Sequence, residues 1–304
     1  MTSQSRGLLL AFAGVLIITP DTLLVRLMHL DTWPLLFYRG MGMAAGVAVY
    51  TLMRGRQNLI QRIRALGLIG VATAVCFSTA NMLFVNSLMR TSVANTLAII
   101  STAPIWAAFF SALVLRERLP LRTWAAVVLT AGCIIVIVGG GLGGSGSSPT
   151  GDIIALFQAV FMAAGFVLIR SQPDVEMVPC MILGGSITAI VSFLNAGSLA
   201  VAMPDVVPLV LLVLVVLPGS FLCLLNAPRF IPAPEVNMIL LLEMVLGPLL
   251  VWTAVGETVP IATFIGGTGL FAVLLGHSYL GMRAYGKKRI VPIRVGEASV
   301  SSGK

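Results

Sequence analysis

The 304-residue sequence predicts an all-α integral membrane protein of ten transmembrane helices, arranged as two inverted five-helix repeats. Three observations predict it. The chain is 58% hydrophobic and only 10% charged, with a mean hydropathy of +1.02, where a soluble domain is about 45–50% apolar and about 25% charged. Its apolar residues gather in stretches of roughly 20, the length of helix that crosses about 30 Å of hydrocarbon. Matching residues recur on either side of a central Gly/Ser linker.

Cutting the sequence at charged, Gly-rich and Pro-rich breaks places the spans at 7–27, 33–53, 65–88, 93–115, 122–141, 152–170, 178–201, 206–226, 235–254 and 260–282. The stretches are continuously apolar instead of alternating, which selects helices over a barrel. The first follows Arg6 in the manner of a signal peptide, but it runs too long and no small-x-small site follows it, so it reads as a retained span. Cys76, Cys133, Cys180 and Cys223 are far apart, without a CxxC or a Cys/His pairing, and read as small apolar residues, with no disulfide frame and no metal site.

Lys and Arg set the orientation. With the N-terminus cytoplasmic, the inner set is Arg6, Arg54, Arg56, Arg62, Arg64, Arg116, Arg118, Arg122, Arg170, Arg229, Arg283, Lys287, Lys288, Arg289, Arg294 and Lys304. The outer loops keep only Arg26 and Arg90, and Arg39 falls within a span. Both termini are therefore expected in the cytoplasm, with the chain in the inner membrane. The net charge of +8 is this asymmetry and not a nucleic-acid surface, because no basic stripe carries interleaved aromatics.

The linker GGGLGGSGSSPTG, 139–151, divides the chain. At an offset of 140, Asn86 meets Asn226, Asn95 meets Glu235, Glu117 meets Glu257 and Pro120 meets Pro260. At 144, LLVR (23–26) meets VLIR (167–170). The expected units are a first repeat at 1–145, a second at 146–286 and a basic, disordered cytoplasmic tail at 287–304. Five spans is an odd number, so the second copy enters the membrane inverted. That accounts for LRERLPLRTW (115–124) losing its arginines in its twin VGETVPIATF (255–264), which would face outward. Glu117 and Glu257 then either cap the following helices or serve as solvated loop charges.

The phrases WPLLFYRG (33–40), APIWAAFFSALVLRERLPLRTWAAVVLTAG (103–132) and LLEMVLGPLLVWTAVGETVPIATFIGG (241–267) resemble the drug/metabolite transporter superfamily, and within it the EamA family, to about residue 285. Met244 stands where the family usually has proline, and Arg116 where it usually has glycine. The resemblance implies a secondary carrier, often an exporter, of amino acids or other small metabolites, working by alternating access. An uptake permease of the same fold is the alternative, and a non-transporting membrane scaffold is a third reading.

An ionisable group near the bilayer centre costs about 2.5–3.5 kcal/mol on insertion scales, so each is a candidate site residue. Glu243, in the middle of the ninth span, reads as a proton-exchanging or amine-pairing group, or as a neutral carboxyl bonded to a neighbouring helix. Arg39, beside Tyr38, either holds a substrate carboxylate bidentately or pairs with Asp21 or Glu243. Asp21 follows Pro20 and is a coupling carboxylate or a structural partner. His277 is a proton relay or an interfacial histidine. Asn81, Asn95, Glu235 and Asn237 would line a hydrated cavity or bond between helices, as would Asn86 and Asn226. Trp106 and Trp252 would stack on an aromatic ligand or pack against lipid.

Nothing in the sequence supports an enzyme or a cofactor: two distant histidines, no HExxH, no CxxC and no P-loop. The expected partners are a small-molecule substrate, the lipid bilayer and protons as the candidate coupling ion, with no nucleic acid. Monomer and homodimer both stay open.

Overall fold

The computed structural model describes residues 3–53, 59–91, 93–116, 121–141 and 148–255, together with 265, 266, 268, 269, 272, 273 and 276. Glu117, Glu257, His277, the tail and most of the tenth span at 260–282 lie outside the described residues. Within them all regular structure is helical: α1 (Ser3–Ile18), α2 (Pro20–Leu27), α3 (Thr32–Met53), α4 (Leu59–Ala65), α5 (Gly67–Leu88), α6 (Val93–Ile100), α7 (Ala103–Val114), α8 (Leu121–Gly141), α9 (Pro149–Arg170), α10 (Cys180–Asn195), α11 (Met203–Leu211), α12 (Leu217–Asn226), α13 (Ala233–Leu240) and α14 (Leu242–Val255).

Among the described residues, five stretches are long and apolar enough to cross a membrane: Gln4–Leu27, Thr32–Met53, Gly67–Leu88, Pro149–Arg170 and Met203–Arg229. Ala103–Val114, Leu121–Cys133 and Cys180–Asn195 are shorter apolar helices. The outer faces are as apolar as the interior: Leu68 is 84% exposed and Leu194 76%. Such a surface fits lipid as its solvent.

Three of the expected spans are not single helices. The first breaks at Thr19, whose N–H and hydroxyl both reach the Val15 carbonyl, at 2.9 and 2.7 Å. The next residue, Pro20, has no N–H to continue the ladder. The fourth breaks at Ser101 and Thr102, just before Pro104, and each hydroxyl turns back onto its own helix, Ser101 to Leu97 O at 2.7 Å and Thr102 to Ile99 O at 2.8 Å. The ninth breaks at Leu241, whose N–H tightens onto Met238 O at 3.2 Å. The eighth stays continuous but contains a π turn, Leu212–Val216, ahead of Pro218. Two further differences from the sequence reading are the extra short helix α4 and the seventh span, which ends at Asn195 and leaves 196–202 as a non-helical crossing.

Among the described residues the most extensive helix pairs are α3 with α10 and α5 with α9, followed by α5 with α10, α1 with α12, α7 with α9, and α7 with α13. Glycines let several of these backbones approach, as expected where packing and not water drives association. At one end of the bundle, Arg62 pairs with Glu176 at 3.3 Å, Arg170 donates to Pro228 O at 3.2 Å, Arg229 donates to Pro173 O at 3.0 Å, and Arg6 lies 5.6 Å over the Phe230 ring. The opposite end holds acids: the His29 N–H donates to Asp205 at 3.3 Å and the Thr91 hydroxyl to Asp152 at 2.8 Å.

Candidate functional site

The three helix breaks meet around one cavity. Ile18 and Asp21 reach it from the first break, Ile100, Ser101 and Ala103 from the second, and Leu240, Leu241 and Glu243 from the third. Its volume is about 90 Å³. Counted by where a water's centre can sit, about 10–15 Å³ holds one water, so the cavity has room for several or for a small organic molecule.

Arg39 on α3 anchors the polar side. Its two terminal nitrogens fork onto the Asp21 carboxylate, with Nη2 to Oδ2 at 2.9 Å, and its Nε donates to Asn81 Oδ1 on α5 at 3.2 Å. The Phe84 ring sits 5.9 Å from the guanidinium carbon. Asp21 and Arg39 are both almost fully buried, so the pair ties α2, α3 and α5 together and cancels its own charge. Of the two partners offered to Arg39 by the sequence, Asp21 is the one found.

Glu243 occupies the first turn of α14, as Asp21 does in α2, and each carboxyl stands near the positive end of a half-helix. Glu243 lies within electrostatic reach of both Asp21 and Arg39 and keeps part of its surface open to the cavity. It makes no hydrogen bond or ion pair among the described residues. Asn237 on α13 donates its amide nitrogen to Ala233 O at 2.9 Å, and its Oδ1 has no partner. Aromatic rings line part of the cavity, with Phe77 edge-on to Phe166 at 5.2 Å and to Phe221 at 6.0 Å.

Asp21, Arg39, Asn81, Asn237 and Glu243 thus line one space. Other sequence candidates lie elsewhere. The Tyr38 hydroxyl donates to Leu199 O at 2.8 Å, toward the 196–202 crossing. Trp106 sits on α7 with its Nε1 on the Thr102 hydroxyl at 3.3 Å. Glu235 is buried at the start of α13, within reach of the Arg122 and Arg170 charges. Asn95 and Trp252 fall on α6 and α14, and their side chains lie outside the described residues. Asn86 and Asn226 each donate to the carbonyl four residues back, Met82 at 2.9 Å and Leu222 at 2.7 Å, and not across to another helix.

Sequence reasoning missed Gln158, Ser101 and the aromatic rings. Gln158 is a buried amide in the cavity lining, with no hydrogen-bond partner on its Oε1. A signal was present: it is the one polar residue of ALFQAVFMAAG (155–165), a placement that lipid-facing sequence does not tolerate cheaply. The phenylalanines gave no signal, since Phe is ordinary in any span.

Residues 5–139 match the EamA-like transporter family. A comparison with curated protein sequences finds no match. A solved structure described only as "Crystal structure of protein" superposes with a TM-score of 0.74, covering 92% of this chain and 99% of its own at 17% identity. The shared architecture therefore extends through both halves of the chain, while that level of identity carries fold alone. The apolar helices and the likeness of residues 5–139 to EamA-like transporters together point to a multi-pass membrane protein whose first half is similar to that family.

Proposed function

We propose that the chain is a secondary active carrier of a small metabolite, working as an exporter by alternating access between two inverted five-helix halves, 1–145 and 146–286. The observation that carries it is the convergence of broken helices on one largely apolar cavity with a few polar and ionisable groups. The breaks at Ser101 and Leu241 stand 140 residues apart, the same offset at which Asn86 meets Asn226 and Asn95 meets Glu235. Broken spans around a central site are a recurrent construction of carriers built from inverted repeats. The packing supports the same symmetry, since α5 with α9 and α1 with α12 are the two pairs that an exchange of halves would interconvert.

Arg6, Arg62, Arg170 and Arg229 sharing one end of the bundle supports a cytoplasmic placement for that end and for the N-terminus. Coupling to protons falls to Glu243, because Asp21 is already matched by Arg39. The test is flux into liposomes reconstituted with the full chain, screened over amino acids, amines and related metabolites. Saturable flux of at least one compound is expected, lost in Glu243→Gln at normal expression. Flux that ignores an imposed pH gradient removes the coupling, and the absence of saturable flux for the whole panel removes the carrier.

A further inference from the structure

The cavity's unspent hydrogen-bonding capacity has a sign. Its only cation among the described lining residues, Arg39, is matched one to one by Asp21, with its third nitrogen on Asn81. The remaining charged group is Glu243, which has no partner there. The same lining holds Asn237 Oδ1, an acceptor whose identity is fixed because the amide nitrogen of the same side chain is committed to Ala233 O. Asn237 is 1% exposed, so its oxygen is a desolvated acceptor that gains a full hydrogen bond from any donor brought to it. The lining also includes the phenylalanine rings of Phe77, Phe84, Phe166 and Phe221, which accept an apolar body and also favour a nearby cation.

We propose that this cavity binds a protonated amine carried on an apolar or aromatic body, with Glu243 as its counter-charge and Asn237 Oδ1 as a second acceptor, and that a ligand carboxylate is not required. An ammonium group supplies three donors and one positive charge, matching what the cavity lacks. A carboxylate would meet Asp21 and Glu243 with no unmatched cation among the described lining residues to receive it. The proposal rests on the carrier reading only for how the ligand arrives, since the site itself is a matter of equilibrium binding.

The experiment uses the purified full chain in detergent micelles and three probes with similar aromatic bodies: 2-phenylethylamine, 3-phenylpropionate and phenylalanine. Titration calorimetry should show the amine binding at least about tenfold tighter than the other two, the margin of one charge-assisted hydrogen bond. Glu243→Gln and, separately, Asn237→Ala should each weaken the amine, the first by at least about tenfold. Equal or tighter binding of phenylpropionate or phenylalanine, no binding of the amine, or amine affinity unchanged in folded Glu243→Gln each overturns the proposal. Amine binding without flux in liposomes would sink the carrier and keep the site. Flux of carboxylates in preference to amines would keep the carrier and sink the site.

Discussion

Gly40 and Gly185 meet backbone to backbone: a Cβ built on either would stand 2.6 Å from the carbonyl oxygen of the other. The contact is at the crossing of α3 and α10, the most extensive helix pair in the bundle. Replacing a helical glycine by alanine normally gains about 0.5–1 kcal/mol of backbone entropy. Here the added methyl meets backbone, which cannot swing aside, and overpacking costs about 1–3 kcal/mol. Gly185→Ala should therefore lower the thermal unfolding midpoint in detergent, whereas Gly132→Ala on α8, with nothing within 4 Å, should hold or raise it. Equal midpoints for the two variants would mean that the crossing can open without loss.

The Asp21–Arg39 fork predicts an asymmetry between single and double substitutions. Arg39→Ala strands a carboxylate that is 2% exposed, a loss of about 3–5 kcal/mol for a buried pair broken on one side. Arg39→Lys keeps the charge but not the two-pronged geometry, and should fall between the parent and Arg39→Ala. Asp21→Asn combined with Arg39→Met removes both charges and should be more stable than either single change. Folded yield by size-exclusion chromatography with a thermal ramp reads all of them, and a double variant no better than the singles would show that the pair does not act as one.

Asn86 and Asn226 stand 140 residues apart in sequence and, among the described residues, bond only within their own helices. An inter-helix bond of this kind is worth about 0.6–2 kcal/mol. Asn86→Ala and Asn226→Ala should lose less than that, with unfolding midpoints close to the parent. A marked drop in either would point to a partner outside the described residues.

The five described stretches long enough to cross a membrane were legible because lipid imposes a length and a composition that water does not. The breaks inside the expected spans were not, because a prolonged apolar run hides where its backbone bonds fail. Pro20 and Pro104 marked two of these places, but LLLEMV around Leu241 carries no proline and no glycine, and its break shows only in the backbone. In the cavity, the ionisable residues announced themselves through their desolvation cost, so Asp21, Arg39 and Glu243 were all nameable in advance. Which of them pair was not, since pairing depends on helix rotation. Tyr38 neighbours Arg39 in sequence yet turns to Leu199 O, and Glu235 lies at the arginine-bearing end, a distribution that rotation and depth decide and spacing does not.

That displaced glutamate makes the last prediction. Glu235 is buried in the first turn of α13, within reach of Arg122 on α8 and Arg170 at the end of α9. Arg122 comes from the first half of the chain, and Arg170 and Glu235 from the second, so the three charges join the halves at the end where Arg170 also holds Pro228 O. The short helix α13 runs from this cluster to the cavity, where Asn237 and Leu240 line it. Weakening the cluster should thus open the cavity toward that end, which the proposed orientation makes cytoplasmic. With Cys76, Cys133, Cys180 and Cys223 replaced by alanine, Ser101→Cys places a single thiol in the cavity lining. A membrane-impermeant maleimide applied from the Arg170 face should label it faster when Glu235→Gln is added. A loss of ~1 kcal/mol in closing energy corresponds to about a fivefold gain in the open state. Labelling that stays unchanged from that face, with the variant folded, would show that the three charges stabilise the bundle without holding this end closed.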